Sequence, residues 1–301
     1  MNSKTQLREV IVTSSAILDD VAKRHKSLLD EFSMKVISGA VKAFSDATNP
    51  LRLNFHSTAI RILYEHLMDS YSPIEEVMKA AWYKPEKDDG KPTRGQRIKF
   101  AVQGGLSDAL VSQQLSIDVA PLRKRLLDAV DQLSKQVHGR ENTLVSDPDE
   151  QDAIAVASAQ AMASFLDLLA ECRAAVIEPI EERLDETAVD EIVNSSLAEI
   201  DELASHFSLE EVYVNHTRVA AIRHDAIVYR AEGTVSVILQ WGSNSDVRRG
   251  DGAELDQRFP FTAEVEVPIS DPWNFDDAAV LSWVDTTEWH DAMAPDPSDE
   301  Y

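Results

Sequence analysis

The segments Thr234-Val235-Ser236-Val237-Ile238-Leu239 and Phe261-Thr262-Ala263-Glu264-Val265-Glu266-Val267 decide the fold class of this chain. Both are rich in β-branched residues, and their side-chain character changes with a period of two, which is typical of strands with one face in a core. Two shorter segments, Val212–Val214 and Ala226–Tyr229, have the same character, and Glu232-Gly233 predicts a short turn. We therefore expect an antiparallel sheet of about four or five strands.

Upstream of this region, apolar residues recur at intervals of three and four, the spacing of amphipathic helices. The pattern predicts one or two helices over residues 4–47, and further helices over 56–70, 94–102, 106–114 and 121–137. Thr93 is placed to cap the helix that enters at Arg94. The predicted class is α+β, with an all-helical N-terminal domain followed by a small antiparallel β-sheet domain.

Three regions with different charge are expected to correspond to structural units. Residues 1–146 hold 21 Lys and Arg against 18 Asp and Glu, residues 147–205 hold 2 against 16, and residues 206–301 hold 6 against 19. We predict a helical domain with a weakly basic face over 1–146, acidic helices over 147–205 and a β-rich domain over 206–301. The β-rich domain is expected to contain a long loop over 242–258, since hairpin connections usually take about two to five residues.

The net charge of −24 opposes nucleic-acid binding by the chain as a whole, because like charges repel the phosphate backbone. Any surface that meets a polyanion is expected in the N-terminal region, while the acidic remainder is a solvated surface or a docking face for a basic partner.

Cys172 is the single cysteine, which excludes an intrachain disulfide and a cysteine-cluster zinc site and fits a reducing compartment. The N-terminal residues lack the apolar segment of a secretion signal, and no stretch approaches about twenty uninterrupted apolar residues. We expect a cytoplasmic protein without a membrane span.

A basic segment between positions 84 and 99 is the strongest candidate for a binding site in the helical region. It holds six basic residues beside Trp82 and Tyr83, and it ends in a helix start whose free amides favour anions. It predicts phosphate or nucleic-acid binding within residues 84–125, through Lys84, Lys91, Arg94, Arg97, Lys99 and Arg123. The alternative is that these side chains pair with the protein's own acidic helices or with another subunit.

Two histidines in the segment 51–66 are candidate catalytic groups, since histidine titrates near neutrality. His56 and His66 lie ten residues apart, about 80° from alignment on a continuous helix, so their spacing does not indicate a metal pair. The alternative for both residues is a capping or surface role.

In the β-rich region, Asp246 and Asp251 are further catalytic candidates, because carboxylates bind hard cations such as Mg²⁺. No lysine follows Lys135, so the arrangement of two acids and a lysine expected of restriction-type nucleases is missing from the sheet. The competing interpretation is a self-satisfied loop in which these aspartates bond backbone amides and pair with Arg248. The chain contains no nucleophile elbow, Walker loop, dinucleotide fingerprint or His-Glu-x-x-His motif. The sequence does not name a cofactor; a divalent metal is expected only if the protein is a nuclease.

Two blocks carry a resemblance to a known family. They are Trp82-Tyr83-Lys84 with Pro92-Thr93-Arg94-Gly95-Gln96-Arg97-Ile98-Lys99-Phe100-Ala101-Val102-Gln103-Gly104-Gly105-Leu106-Ser107, and Leu239-Gln240-Trp241-Gly242-Ser243-Asn244-Ser245-Asp246-Val247-Arg248. The chain resembles the predicted pPIWI-associating nucleases, bacterial proteins linked to prokaryotic PIWI and other mobile-element conflict systems. The resemblance covers most of residues 50–268 and implies helices first, a β-rich end and a defence context.

Two functions remain open at this point. The first is a component of a bacterial antiviral defence system that resembles predicted nucleases acting on phage or mobile-element nucleic acid. The second is a non-catalytic sensor or adaptor that binds a protein partner through Arg248 and Arg249. Both imply other defence-system proteins as partners, and both are compatible with a homo-oligomer.

Overall fold

The computed structural model describes residues 13–86, 88–137, 145–184, 186–197 and 207–287. The chain divides into two compact units, Met1–Val176 and Ile177–Tyr301. This boundary differs from the predicted ones at 146/147 and 205/206. The acidic region is divided because its first helix supplies core residues to the helical unit, whereas its second packs against the sheet.

The first unit is entirely helical in its described part, as expected. Its elements are α1 (Ser14–Arg24), α2 (Glu31–Ser45), α3 (Arg52–Tyr71), α4 (Ile74–Lys79), α5 (Arg94–Gln103), a π-helical turn (Leu110–Gln114), α6 (Val119–Val137) and most of α7 (Pro148–Glu181). The region predicted as one or two helices over 4–47 contains two, with residues 1–12 lying outside the described residues.

The core of this unit forms where the apolar faces of α2, α3 and α7 meet. Phe44, Leu53 and Ala155 form one buried cluster, and the ring of Tyr64 contacts that of Phe165 edge-on at 5.3 Å between centroids. Burial of these faces removes apolar surface from water, the dominant favourable term in folding. It also explains why α7 belongs with the helices that precede it.

The second unit contains α8 (Glu186–Leu197) and a four-stranded antiparallel sheet in the order β1-β2-β3-β4. The strands are β1 (Phe207–Ile222), β2 (Ala226–Trp241), β3 (Ala253–Pro268) and β4 (Ala279–Val284). Phe259, Phe261, Ala263, Val265 and Val267 alternate along β3 on the buried face, and α8 contacts β1, β3 and β4. The predicted α+β class and the antiparallel sheet are confirmed.

Gly233 does not form the predicted turn but lies within the continuous strand β2, paired with Val214 and Phe261. A Cβ atom built on Gly233 would lie 2.0 Å from the carbonyl oxygen of Tyr213 and 2.6 Å from the Phe261 ring. Glycine is therefore required at this position by close approach, not by a turn.

The connection after β2 is shorter and more ordered than the predicted 242–258 loop. A short helix, α9 (Asn244–Arg249), fills most of it, and β3 already begins at Ala253. Residues 253–258 lack the alternating burial of the rest of β3, which is why periodicity did not identify them as a strand. They are strand because they continue the β2 register as far as the pair Trp241 and Ala253.

In the described part of the chain, α7 is the one helix with the length and apolar composition of a membrane span. Core helices of soluble proteins share both properties, and α7 buries Met162, Phe165 and Leu166 inside the helical unit. The architecture is that of a soluble domain fold.

Candidate functional site

The basic segment begins α5 with a capping box. The Thr93 side chain accepts a hydrogen bond from the Gln96 backbone amide, and the Gln96 side chain accepts one from the Thr93 amide at 2.9 Å. The Gln96 side-chain amide also donates to the Lys84 carbonyl oxygen at 2.7 Å. These bonds fix the first turn of α5 against the preceding loop, and they confirm the predicted cap at Thr93.

Lys99 occupies a defined position on α5. Its ammonium lies 4.3 Å from the centre of the Trp82 ring and 2.8 Å from Asp108 Oδ2. The Trp82 indole donates to the Gly104 carbonyl oxygen at 3.0 Å, which fixes the ring beneath the lysine. A cation between an aromatic face and a carboxylate loses little further freedom when an anion approaches.

Asp108 links Lys99 to α6. Its other oxygen lies 3.8 Å from Arg123 Nη1 and accepts a hydrogen bond from Gln103 Nε2 at 3.1 Å. Burial raises the pKa of Asp108, but hydrogen bonds from Lys99 and Gln103 and the nearby positive charges outweigh burial and hold it below its ordinary value. Asp108 is therefore a carboxylate at neutral pH and partly neutralises both cations.

A groove with a volume of about 340 Å³ opens beside this cluster, between the start of α5 and α6. Three of its lining side chains are cationic and one is acidic; the full lining is Glu86, Thr93, Gly95, Gln96, Ile98, Lys99, Arg123, Lys124 and Leu127. The positive end of the α5 dipole lies at Thr93 and Gly95, so the groove combines side-chain and backbone positive charge. This arrangement suits a phosphate group.

The other predicted phosphate-binding residues are not brought to this groove. Arg94 pairs with Asp131 at 2.5 Å, and Arg97 pairs with Asp69 at 2.8 Å and donates to the Ser72 carbonyl oxygen. Lys84 and Lys91 are exposed, and neither lines the groove. The predicted surface is thus divided: Lys99 and Arg123 line the groove, whereas Arg94 pairs with an aspartate on α6 and Arg97 with one on α3.

The predicted alternative, pairing with the protein's own acids, applies in part. Arg94, Arg97 and Lys99 do form internal ion pairs, but their partners lie within the first 131 residues. Of the neighbouring basic residues, Arg125 does reach an acidic helix, with its guanidinium 2.7 Å from Glu171 on α7.

His56 lies in the core of the helical unit. Its ring is completely buried, with Nδ1 3.4 Å from the Ala40 carbonyl oxygen and Nε2 3.1 Å from Ser158 Oγ. Burial lowers the pKa of His56 and thereby favours the neutral ring. This position supports a structural role, because a substrate cannot reach the ring without opening the core.

His66 lies at the surface of α3, about a quarter exposed. Its Nε2 is 2.8 Å from Asp30 Oδ2, and its ring contacts that of Phe32 at 4.6 Å between centroids. Asp30 also caps α2, and the hydrogen bonds from Ser33, with a smaller contribution from His66, lower the pKa of Asp30 to about 2. A carboxylate that orients a histidine ring is compatible with general-base chemistry, so the catalytic prediction for His66 stays open.

The Asp246 side chain forms its bonds within α9 and with the residue that caps it. Its side chain accepts hydrogen bonds from the Ser243 amide at 2.9 Å and the Ser243 hydroxyl at 2.6 Å, which lower its pKa, and it pairs with Arg249 at 3.0 Å. The Asp251 amide donates to the Asp246 carbonyl oxygen at 2.9 Å. Asp246 is thus engaged by its near neighbours in the chain, and Arg249 is one ion-pair partner of its carboxylate.

Within the described residues, no group of three or more His, Cys, Asp or Glu side chains is placed to hold a metal ion. Cys172 is buried, and burial raises the pKa of its thiol to about 11, as expected for a structural cysteine.

Sequence reasoning assigned no role to Asp108, which contacts both Lys99 and Arg123. Lys124, which lines the groove, belongs to the basic triplet 123–125 that the sequence suggested as an extension of the basic surface. Asp108 comes nine residues after Lys99 and beyond the helix, and no local rule connects the two.

Comparison with protein families gives a match for each part of the chain. Residues 25–162 and residues 169–290 each match a family model described as a predicted pPIWI-associating nuclease. The chain belongs to the predicted pPIWI-associating nucleases. The first match includes the α5–α6 groove, and the second includes the sheet and α9. Each of the two units therefore contains residues that match a predicted nuclease family. No curated protein and no solved structure matches the chain.

Proposed function

We propose that this protein binds the phosphate backbone of nucleic acid in the α5–α6 groove and acts as a nuclease of a cytoplasmic bacterial antiviral defence system. The observation that carries the proposal is the groove in which Lys99, Arg123 and Lys124 converge beside the start of α5. Membership of a predicted nuclease family supports a nucleic acid as the ligand. The substrate would be phage or mobile-element nucleic acid, and other defence-system proteins would be its partners.

The charge distribution supports a local site of this kind. The chain has a net charge of −24, but residues 1–146 carry a small excess of basic residues, and the groove lies among them. An acidic protein that contacts a polyanion needs its cations held in place, because diffuse attraction is absent. Trp82 and Asp108 hold Lys99, and Asp108 also lies beside Arg123.

Binding is tested with fluorescent single-stranded DNA, RNA and duplex DNA over a range of salt concentrations. Lys124→Gln is the main variant, because Lys124 lines the groove and is exposed. Lys42→Gln, at an exposed lysine on α2, is the matched control for loss of one positive charge. We expect Lys124→Gln to weaken binding several-fold and to reduce the salt slope by about one, with no change for Lys42→Gln. Absence of salt-sensitive binding by the unaltered protein would overturn the proposal.

Hydrolysis is tested separately, with labelled substrates in Mg²⁺, in Mn²⁺ and in EDTA. The residues to change are the predicted catalytic ones, His56, His66, Asp246 and Asp251, with unfolding curves recorded for each variant. We expect His66→Ala to lower cleavage while the fold is kept. Loss of cleavage in His56→Ala is expected to accompany loss of stability, because that ring is buried. Absence of cleavage under all three conditions would leave a nucleic-acid-binding protein and contradict the nuclease assignment.

A second candidate function, a non-catalytic adaptor, is favoured by the end of the β2–β3 hairpin. There the Trp241 side chain is 43% exposed, beside a helix whose caps are complete and which presents the exposed Arg249. A rigid, exposed aromatic beside arginine is typical of the central residues of protein interfaces. Loss of a co-purifying defence protein in the double variant Arg248→Glu, Arg249→Glu, with nucleic-acid binding unchanged, would favour the adaptor.

A further inference from the structure

The groove between α5 and α6 contains more than the cations that a phosphate group needs. Lys99, Arg123 and Lys124 supply positive charge. Leu127 supplies apolar surface, and Glu86 supplies a carboxylate. The volume of about 340 Å³ lies within the range of about 300–1,000 Å³ that is usual for small-molecule sites. The groove therefore offers room and contacts for a larger group than a phosphate alone.

Glu86 lies on a loop whose two ends are tied to the helical unit. At the start of the loop, the Gln96 side-chain amide donates to the Lys84 carbonyl oxygen at 2.7 Å. Across the loop, the Tyr83 hydroxyl donates to the Gly90 carbonyl oxygen at 2.7 Å. The Tyr83 ring in turn packs against a buried apolar cluster shared by α4 and α5. Both ends of the loop that carries Glu86 are thus fixed beside the groove.

The carboxylate of Glu86 is available to a ligand. Among the residues that the structure describes, Glu86 forms no hydrogen bond or ion pair, although three cations line the same groove. A carboxylate beside a phosphate site weakens phosphate binding by repulsion, unless the ligand also brings a hydrogen-bond donor. Ribose hydroxyl groups are such donors, and acidic side chains accept a hydrogen bond from the ribose 2′-hydroxyl in dinucleotide-binding proteins.

We propose that the groove takes one ribonucleotide unit of an RNA strand. Lys99, Arg123 and Lys124 bind its phosphate. Leu127 contacts its base, and Glu86 accepts a hydrogen bond from its 2′-hydroxyl. This hydroxyl is the group by which a protein distinguishes RNA from DNA at a given position. RNA selectivity of this kind rests on the proposed function, because it requires that the groove binds nucleic acid.

The first test compares three single strands of one sequence, RNA, DNA and 2′-O-methyl RNA, by fluorescence anisotropy with the full-length protein. We expect RNA to bind about tenfold more tightly than the other two, since only RNA brings the 2′ donor and hydrogen bonds to charged groups are strong. RNA binding no tighter than DNA binding, with both sensitive to salt, would contradict RNA selectivity and leave the proposed function standing. Absence of binding to all three strands would overturn both.

The second test assigns the preference to Glu86. Glu86→Ala is expected to abolish the preference for RNA, whereas Glu86→Gln keeps an acceptor oxygen and should retain part of it. Both variants remove one negative charge from the groove, so DNA affinity should rise by the same factor in both. Circular dichroism of each variant establishes that the fold is kept.

Glu75→Ala is the matched control, because it removes an exposed carboxylate on α4, outside the groove. We expect this variant to leave the ratio of RNA to DNA affinity unchanged. A preference for RNA that survives Glu86→Ala, or that Glu75→Ala reduces equally, would overturn the assignment of the 2′-hydroxyl to Glu86.

Discussion

The two family blocks use their polar side chains in opposite ways. In the first block, residues 82–84 and 92–107, bonds reach from one element to another: Gln96 to the Lys84 carbonyl, Trp82 to Gly104, and Lys99 to Asp108. In the second block, residues 239–248, Asp246 bonds Ser243 and Arg249 within a single turn of chain. The first block therefore holds cations around a groove, whereas Asp246 in the second block bonds its near neighbours in the chain. A family-marking sequence can thus mark either a binding surface or a local structure.

Trp82→Ala is the substitution in the first block that we expect to destabilise the protein most. Loss of the indole removes its bond to Gly104, its contact with Lys99 and its packing against Phe100. We expect the free energy of unfolding to fall by about 3 kcal/mol, measured by urea denaturation. Trp82→Phe keeps a ring but not the donor and should cost about 1 kcal/mol. Equal losses for the two variants would show that the ring itself contributes nothing.

Gly252, which follows the second block, tests how tightly the turn after α9 packs against the end of β2. A Cβ atom there would lie 2.7 Å from the Trp241 carbonyl oxygen and 2.9 Å from the Val247 amide nitrogen, both backbone atoms. Gly252→Ala should destabilise the protein by about 2 kcal/mol. Gly250 is the control: its φ of +79° is unfavourable for alanine, but no atom lies within 4 Å of the built Cβ, so we expect about 1 kcal/mol. A smaller loss at Gly252 than at Gly250 would contradict the packed turn.

Asp108→Asn is expected to strengthen nucleic-acid binding in the groove and to lower the stability of the folded protein. Removal of the carboxylate takes away the negative charge that partly compensates Lys99 and Arg123. Nucleic-acid affinity should therefore rise about fivefold at low salt. Unaltered or weaker binding would contradict the role of this carboxylate as the internal competitor of phosphate.

The same variant makes a prediction about pH. Because the pKa of Asp108 is lower in the folded protein than in the unfolded chain, its stabilising contribution is present above the unfolded pKa of about 4 and is lost as pH falls through the folded pKa. The free energies of unfolding of the wild type and of Asp108→Asn should therefore converge on acidification. A difference that stays constant down to pH 2 would exclude this linkage.

The smallest effect is expected at Arg249. Its ion pair with Asp246 is largely exposed, so Arg249→Gln should change the free energy of unfolding by less than about 0.5 kcal/mol. Asp246→Ala removes the acceptor that serves Ser243 and should destabilise the protein more than Arg249→Gln does, by the same denaturation measurement. A larger loss at Arg249 than at Asp246 would mean that the ion pair, not the cap, holds α9.

The sequence by itself determined which elements form. The alternation along β2 and β3 predicted the sheet, the three- and four-residue spacing predicted the helices, and Thr93 predicted the start of α5, because these signals lie within a few residues of the structure they specify. It also located Lys99 and Arg123, two of the cations that line the groove.

Only the tertiary structure decided what those residues do. His56 and His66 are the same residue type on the same helix, yet one is enclosed by α2 and α7 and the other is oriented by Asp30 at the surface. Arg97 and Lys99 are two residues apart but pair with Asp69 and Asp108, on different elements. Burial and charge pairing depend on residues that are distant in the chain, and a local pattern does not contain those distances.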